Sequence, residues 1–291
     1  MKSNMEVTLF IGNGINRLEA GRDVSWGKVL DELARKLDTQ SLLDLRDNKP
    51  FTLIYETLRL KLFQSGKRQD LLLKKYVSNS MREMEPNQYH RKFLNFGIVN
   101  IITSNYDYCF EMTGQTEVKH FNGARESKYS AFRRTEVGDT YIWHIHGEVE
   151  EPESIMLGYE QYGGYLQKIR KYLLPSQKRR ELNIANLKKR FDRKQLNSWV
   201  DLFLRDEVHI LGFSVDYSEI DIWWLLVFKA QCKARYGIEP GNTIYYHWTK
   251  SKENDRDKAK LQLLEALGVK VHARYEIESF EDCYNNFKIL S

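Results

Sequence analysis

Short apolar segments that alternate with helical ones constrain the fold of this chain more than any other feature of its 291 residues. The first segment, VTLFIGNGI at residues 7–15, is an apolar run that ends in a Gly-x-Gly turn, a pattern typical of a buried parallel strand. Further strand patterns follow at 97–107, 140–147, 207–214, 242–248 and 269–273. Because helical stretches such as DKAKLQLLEALG separate the later strands, the sequence predicts an α/β fold with a parallel sheet and helices on both faces.

The rest of the chain is predicted to be mainly helical. Residues 38–95 have mostly helical and polar patterns, and residues 160–204 contain no recognised motif. With 42% hydrophobic residues, the chain can bury a substantial core. We therefore expect one domain over residues 1–291, with helical insertions at about 38–95 and 160–204.

Small, amide-bearing and other polar residues follow four of the predicted strands, at the point where each strand ends. In an open parallel sheet, ligands bind beyond the carboxyl ends of the strands, so these residues form one candidate rim. Glycines allow a close approach of the backbone and amides bond ribose and base edges, which is the composition of a nucleotide pocket. The rim comprises Gly12, Asn13, Gly14, Asn16, Thr103, Ser104, Asn105, Asp107, His146, Gly147, Gly212, Phe213, Ser214 and Asp216.

Each part of this rim also has an explanation without a ligand. The Gly-x-Gly turn lacks the third glycine of the dinucleotide fingerprint and can be a simple tight turn. Asn105 and Asp107 suit turns, and Ser214 suits a helix N-cap. His144 and His146 share a face of the strand because side chains alternate with period two, and a histidine inside a strand is usually structural. We therefore assign the chemistry to His146, at the strand end, and leave a contribution from His144 open.

The order of these turns is more specific than any one of them. The chain contains IGNGIN at 11–16, SW with a following VL at 25–30, ITSNYD at 102–107, HIHG at 144–147 and LGFSVDYSEID at 211–221. In this arrangement it resembles the sirtuin-type NAD-binding domain, which implies a Rossmann-like fold. It is most similar to the divergent bacterial sirtuin-like proteins, many of which consume NAD in anti-phage defence.

The resemblance implies a role for each turn. His146 would be catalytic, as a base toward a ribose hydroxyl of NAD, and Asn105 would be catalytic beside the nicotinamide ribose. No metal is required, and we expect none. The other cofactor-binding positions would be Gly12, Asn13, Gly14 and Asn16 near the diphosphate, Ser104 and Asp107 in the loop of Asn105, Gly147 beside His146, and Gly212 and Ser214 on the adenosine side.

The resemblance also implies an activity, the hydrolysis of NAD to nicotinamide and ADP-ribose by an anti-phage effector of abortive infection. Cleavage of the bond between nicotinamide and ribose builds oxocarbenium character, which an active site stabilises through geometry and charge. The chain has three separate cysteines and lacks the four zinc cysteines of protein deacylases. The alternatives are an NAD-dependent ADP-ribosyltransferase or deacylase, and a module that senses NAD or ADP-ribose without cleaving it.

Charge points to a further partner surface. Residues 165–195 carry eleven Lys or Arg and two acids, a net charge of +9 in a chain whose total is +5. A solvated helical insertion is the ordinary explanation of such a run, and a contact to a partner protein or to nucleic acid is the alternative. Because NAD depletion is lethal, we expect control by homo-oligomerisation or by a separate regulatory or sensor protein.

Composition also limits the compartment. The chain has no apolar run near the ~18 residues of a membrane span and no signal-peptide pattern at its start. Three scattered cysteines do not form a disulfide framework. We therefore expect a cytoplasmic protein with no membrane contact.

Overall fold

The computed structural model describes residues 6–18, 26–36, 38–39, 41, 44, 49–64, 70–114, 117–121, 128–174, 184–191 and 198–289. Within these residues, the strands are β1 (Val7–Ile11), β2 (Asn100–Thr103), β3 (Val118–Phe121), β4 (Arg134–Val137), β5 (Thr140–His144), β6 (Glu207–Leu211), β7 (Thr243–Trp248) and β8 (Lys270–Arg274). The helices are α1 (Trp26–Lys36), α2 (Phe51–Gln64), α3 (Asp70–Arg82), α4 (Gln88–Leu94), α5 (Cys109–Thr113), α6 (Tyr159–Leu173), α7 (Ile184–Arg190), α8 (Trp199–Arg205), α9 (Ile220–Tyr236), α10 (Asp255–Ala266) and α11 (Phe280–Asn285).

All the described strands join one sheet in the order β3-β4-β5-β2-β1-β6-β7-β8. Six neighbouring strands of this order, β5-β2-β1-β6-β7-β8, run parallel, and they are the six that the sequence predicts. The sequence prediction misses β3 and β4, which pair antiparallel at one edge. The sheet is therefore mixed and not wholly parallel. A two-residue turn at Gly138, whose φ is +59°, joins β4 to β5.

Helices cover both faces of the sheet, as predicted, which confirms a Rossmann-like α/β fold. On one face Phe10, Ile102 and Ile210 pack in a cluster with helices α6, α8, α9 and α10. On the other face Leu9 and Ile101 pack in a second cluster with α4, α5 and α11. Successive side chains of the central strands thus enter opposite cores, which explains why these strands are apolar throughout.

Helices α1, α2 and α3 form a third apolar cluster with residues that follow the carboxyl ends of β2 and β5. Their apolar side chains pack on Tyr106 and Cys109, which follow β2, and on Val149, Ile155 and Leu157, which follow β5. The described parts of 38–95 and 160–204 contain helices α2 to α4 and α6 to α8. Of the basic stretch 165–195, only residues 165–174 and 184–191 are described, and residue 25 of the SW motif also lies outside the described residues.

The strand order reverses at β1, and this positions the site. The chain runs from β1 to β2 on one side and later returns to β6 on the other side of β1. The turns after β1 and β6 therefore meet, and the Gly14 amide donates to the Gly212 carbonyl at 2.8 Å. A crevice at such a switch point is where open α/β sheets bind ligands. Among the helices of the described residues, none is long and apolar enough to cross a membrane.

Candidate functional site

A cavity of about 540 Å³ opens at the carboxyl ends of β1, β2, β5 and β6. Its size falls within the range of small-molecule and cofactor sites. Six of the residues predicted from the sequence line it: Asn13, Gly14, Ser104, His146, Gly212 and Ser214. Phe213 and Asp216, which belong to the predicted rim without an assigned role, line it as well. Residues outside the predicted rim complete the lining: Arg17, Leu30, Lys49, Phe51, Ile54, Tyr106, Tyr162, Glu219 and Arg256.

The turn after β1 lets two backbones approach closely beneath the cavity. A Cβ placed on Gly12 would lie 2.6 Å from the Gly212 carbonyl oxygen, so a larger residue does not fit there. Asn16 is buried below the turn, where its amide donates to Asp107 at 2.7 Å and its carbonyl oxygen lies 3.1 Å from His90. Gly12 and Asn16 therefore shape the turn from below, while Asn13 and Gly14 face the cavity.

The loop after β2 places Asn105 directly behind the cavity wall. Asn105 is 7% exposed, and its amide nitrogen lies 3.5 Å from the Gly12 carbonyl oxygen. Its side-chain oxygen has no hydrogen-bond partner within the described part of the chain. Asp107 accepts hydrogen bonds from Asn16 and from the Cys109 backbone, and so ties this loop to the first turn. A buried amide oxygen without a partner is costly, so Asn105 remains a candidate for the predicted functional role.

His144 supports this loop from below. Its Nδ1 lies 3.0 Å from the Asn105 carbonyl oxygen and its Nε2 lies 2.8 Å from Glu111 Oε1. Burial lowers the pKa of His144, but the Glu111 carboxylate, together with Glu148 and the Asn105 backbone carbonyl, outweighs burial and raises this pKa to about 9. Both ring nitrogens contact buried oxygen atoms, so the charged ring of His144 supports the backbone of Asn105.

His146 turns away from His144, because β5 ends at His144 and the chain bends beyond it. The expectation that the two rings share a face is therefore wrong. Gly147 permits the bend with a φ of +106°, and a Cβ there would lie 2.5 Å from the Ser154 carbonyl oxygen. This close packing places Gly147 in the bend that orients His146, outside the cavity lining.

Two carboxylates at the start of α9 face the ring of His146. Its Nε2 lies 2.9 Å from Asp221 Oδ2, and its Nδ1 lies 3.8 Å from Glu219 Oε2 and 3.4 Å from the Tyr162 hydroxyl. Burial lowers the pKa of His146, but Asp221 and Glu219 together raise it above its ordinary value. Burial raises the pKa of Glu219 to about 7, although His146 lowers it. Glu219 and Asp221 lie within the LGFSVDYSEID motif but have no predicted role, and Tyr162 lies outside every motif.

The loop after β6 forms the opposite wall. Gly212 has a φ of +61°, and Val215 has a φ of +47°, which is rare for a β-branched residue. The buried Val215 side chain anchors this strained loop in the core, and the neighbouring Ser214 lines the cavity. Arg17 and Arg256 add positive charge to the lining, and Arg256 lies 3.3 Å from Asp216.

A second cavity of about 450 Å³ adjoins the first beyond the β6 turn. The two share Gly14, Arg17 and the residues 212–214 in their lining. The second is rich in aromatic side chains, among them Tyr245, Trp248 and Tyr284. Together the cavities form a long crevice that crosses the paired glycine turns, a shape that suits an extended ligand with an aromatic end.

Two buried groups bring together side chains of the types that bind metals, with the potential ligand atoms within 4.8 Å of one another. In the first group, His90 with Asp107 and Cys109, both ring nitrogens of the histidine already contact asparagine side chains. The second group is His146 with Glu219 and Asp221, where the ring already bonds Asp221. We treat both groups as hydrogen-bonded clusters, and the absence of a metal stays a prediction.

Comparison with known proteins identifies the family of this chain. No curated protein matches the chain. A family model described as a SIR2-like domain matches residues 99–272, a span that runs from the loop before β2 into β8 and includes Asn105, His146, Glu219 and Asp221. Members of that family are in general NAD-dependent enzymes, so the match implies NAD binding. Because the match covers more than half of the sequence, this chain belongs to the SIR2-like domain family.

Proposed function

We propose that the protein is an NAD glycohydrolase, which cleaves NAD to nicotinamide and ADP-ribose. The observation that carries the proposal is the crevice at the strand-order reversal. The ring of His146 lines one end of it, and Asn105 lies behind the wall formed there by Ser104 and Tyr106, with a buried amide oxygen that has no hydrogen-bond partner among the described residues. Family membership supplies the NAD-related activity, and the lack of the four zinc cysteines of protein deacylases favours hydrolysis as its form. We also propose that residues 1–291 form one sirtuin-like domain, with its helical insertions built onto the sheet.

We propose one direction for NAD in this crevice. The diphosphate would lie over the paired turns of Gly14 and Gly212, where glycines allow a close approach, and near Arg17, whose guanidinium can bind phosphate oxygens. The nicotinamide ribose would face Ser104 and His146 in the first cavity. The adenosine would pass Ser214 into the aromatic second cavity.

The chemistry needs little beyond positioning and charge. When the bond to nicotinamide breaks, positive charge develops on the ribose, and a buried carboxylate group nearby stabilises it more than water would. Glu219 and Asp221 provide that negative environment beside His146. Asn105 provides a carbonyl oxygen that can hold the attacking water or a ribose hydroxyl.

The test is to incubate the purified protein with NAD and to separate the products by chromatography. Equal amounts of nicotinamide and ADP-ribose are expected from the wild type, and neither from His146→Ala or Asn105→Ala. His272→Ala, on the exposed edge strand β8, is the matched histidine control and is expected to retain activity. ADP-ribose attached to protein would indicate a transferase instead. Tight NAD binding without nicotinamide release would indicate a sensor.

The biological role that we propose is an anti-phage effector of abortive infection, which acts in the cytoplasm by depleting NAD. Such an enzyme must be restrained, and we propose homo-oligomerisation or a separate regulatory protein as the restraint. The basic stretch 165–195 supports such a contact, because its described residues Arg170, Lys171, Lys188 and Lys189 are exposed. Nucleic acid is the alternative partner for this stretch. Size-exclusion chromatography with and without phage infection tests the restraint, and an active, unregulated monomer would contradict it.

A further inference from the structure

The carboxylates of Glu219 and Asp221 are more than packing partners of His146. Glu219 is 7% exposed and lines the cavity, while Asp221 is fully buried in the first turn of α9. Each has one buried oxygen, Glu219 Oε2 and Asp221 Oδ1, that accepts no hydrogen bond from the described residues. A helix N-terminus favours an acidic residue, but the helix dipole is worth only about 0.3–1 kcal/mol and does not require two buried carboxylates. Their arrangement around one imidazole therefore indicates a function.

Asp221 determines which ring nitrogen of His146 faces the cavity. With Nε2–H donating to Asp221 at 2.9 Å, the other nitrogen, Nδ1, is the one that can accept a proton. Nδ1 faces the Tyr162 hydroxyl at 3.4 Å and the cavity that Tyr162 and His146 line together. A carboxylate held against an imidazole in this way fixes its tautomer and stabilises the imidazolium.

Glu219 occupies the other side of the same ring. Its Oε2 lies 3.8 Å from His146 Nδ1, so the two groups can share or exchange a proton through a bound water or a substrate hydroxyl. We propose that Asp221 is a positioning residue for His146 and that Glu219 accepts the proton released when water adds to the ribose, a role that rests on the proposed NAD hydrolysis.

Hydrolysis at these residues breaks one bond of NAD and forms one bond to water. The C1′–N bond of the nicotinamide ribose breaks, and its electron pair leaves with neutral nicotinamide. A C1′–O bond forms from water, and one proton of that water passes to the Glu219 carboxylate and then to solvent. His146 hydrogen-bonds a ribose hydroxyl during the step and returns any proton that it takes. One NAD and one water thus give nicotinamide, ADP-ribose and one proton.

The charges around Glu219 agree with this role. Burial raises the pKa of Glu219 to about 7, against the lowering effect of His146, so both of its protonation states are populated at neutral pH. Burial lowers the pKa of His146, but Asp221 and Glu219 raise it above its ordinary value, so the two carboxylates favour the charged ring. The groups that face Glu219 from neighbouring elements are Tyr106, His146 and Tyr162, and Asp216 and Asp221 lie near it in its own loop and helix.

The first test measures nicotinamide release and NAD affinity across pH 5 to 9 in Glu219→Gln. We expect kcat to fall at least about 100-fold while the Kd for NAD stays within about threefold, because general-base catalysis contributes about that much or more. The wild-type rate should rise with pH through about 7, and this rise should vanish in the variant. Glu239→Gln makes the same change on an exposed residue beyond α9 and should behave as the wild type.

The second test does not depend on turnover. The imidazole of His146 is titrated by NMR in the wild type and in Asp221→Asn, with thermal unfolding as the check on folding. The variant is expected to lower the His146 pKa by at least about one pH unit and to change the ring tautomer. An unchanged titration and tautomer would overturn the role of Asp221, whether or not NAD is cleaved.

The outcomes separate the inference from the proposed function. A wild type that cleaves NAD, with Glu219→Gln within about twofold of its kcat and with the same pH profile, overturns the role of Glu219 and leaves the hydrolase standing. A wild type that releases no nicotinamide overturns both the hydrolase and the role of Glu219. Activity that is lost to a chelator and restored by a divalent cation overturns the proton-transfer role, because Glu219 and Asp221 would then hold a metal.

Discussion

Gly212→Ala tests how closely the two glycine turns pack beneath the crevice. Gly212 has a φ of +61°, and an alanine in this left-handed region costs about 1–2 kcal/mol. Its Cβ would also overlap the Tyr284 hydroxyl and approach the Gly14 Cα at 3.1 Å. Tyr284 is 2% exposed within an aromatic cluster and cannot swing away, so overpacking adds about 1–3 kcal/mol. We expect a total loss of about 2–5 kcal/mol.

Urea unfolding followed by tryptophan fluorescence measures this loss. Gly97→Ala is the matched control, because Gly97 has a φ of +71° and its Cβ would meet no atom of the described residues within 4 Å. This control should lose only the backbone cost of about 1–2 kcal/mol. The Tyr284 hydroxyl makes no hydrogen bond to the described residues, so Tyr284→Phe alone should not destabilise the fold. The double variant Gly212→Ala with Tyr284→Phe should recover most of the overpacking cost. Equal losses in Gly212→Ala and Gly97→Ala, or no recovery in the double variant, would refute the reasoning.

Three further predictions follow from buried or charged groups. His144→Gln should cost about 3–5 kcal/mol in urea unfolding, because it leaves the Glu111 carboxylate buried without its partner. Since the pKa of His144 is raised to about 9, its contribution is complete below about pH 6.5 and should be lost as the pH rises through about 9, a trend that the variant lacks. Burial lowers the pKa of Lys229 to about 7, so stability should rise above pH 7 by up to about 1.4 kcal/mol per pH unit, and Lys229→Met should remove the rise. Arg17→Gln should raise the calorimetric Kd for NAD about tenfold, while Arg235→Gln should not change it; a flat pH dependence or an unchanged Kd would contradict these assignments.

The central sheet could be predicted from the sequence because its strands are buried on both faces. Such strands are apolar throughout, and each is followed by the turn residues that mark its end. The edge strands could not be predicted in the same way. Residues 118–121 are mostly exposed, and residues 134–137 form a short polar strand, so neither has an apolar run that distinguishes it from a loop.

The candidate site was predictable where topology alone brings residues together. Parallel strands bring their carboxyl ends to one edge, and this gathers Gly14, Ser104 and His146 without any knowledge of side-chain packing. Tyr162 and Asp221 reach His146 from helices whose position depends on tertiary packing, and no local pattern predicts that contact. Asp221 does lie within the LGFSVDYSEID motif, so its acidic helix start was the one available signal.

The bend after β5 shows a further limit of sequence patterns. Period-two alternation predicts that His144 and His146 share a face, and it holds only inside a strand. The chain leaves the strand at His144, and the positive φ of Gly147 follows directly after His146. The two rings consequently have different positions. His144 supports the backbone of Asn105, and His146 lines the cavity.

The most direct test of the central claim is a crystal structure of His146→Ala bound to NAD. The account predicts the diphosphate over the turns of Gly14 and Gly212, the nicotinamide ribose beside Ser104 and the position of residue 146, and the adenosine in the aromatic second cavity. NAD bound elsewhere on the protein, or a crevice that stays without ligand at saturating NAD, would contradict it.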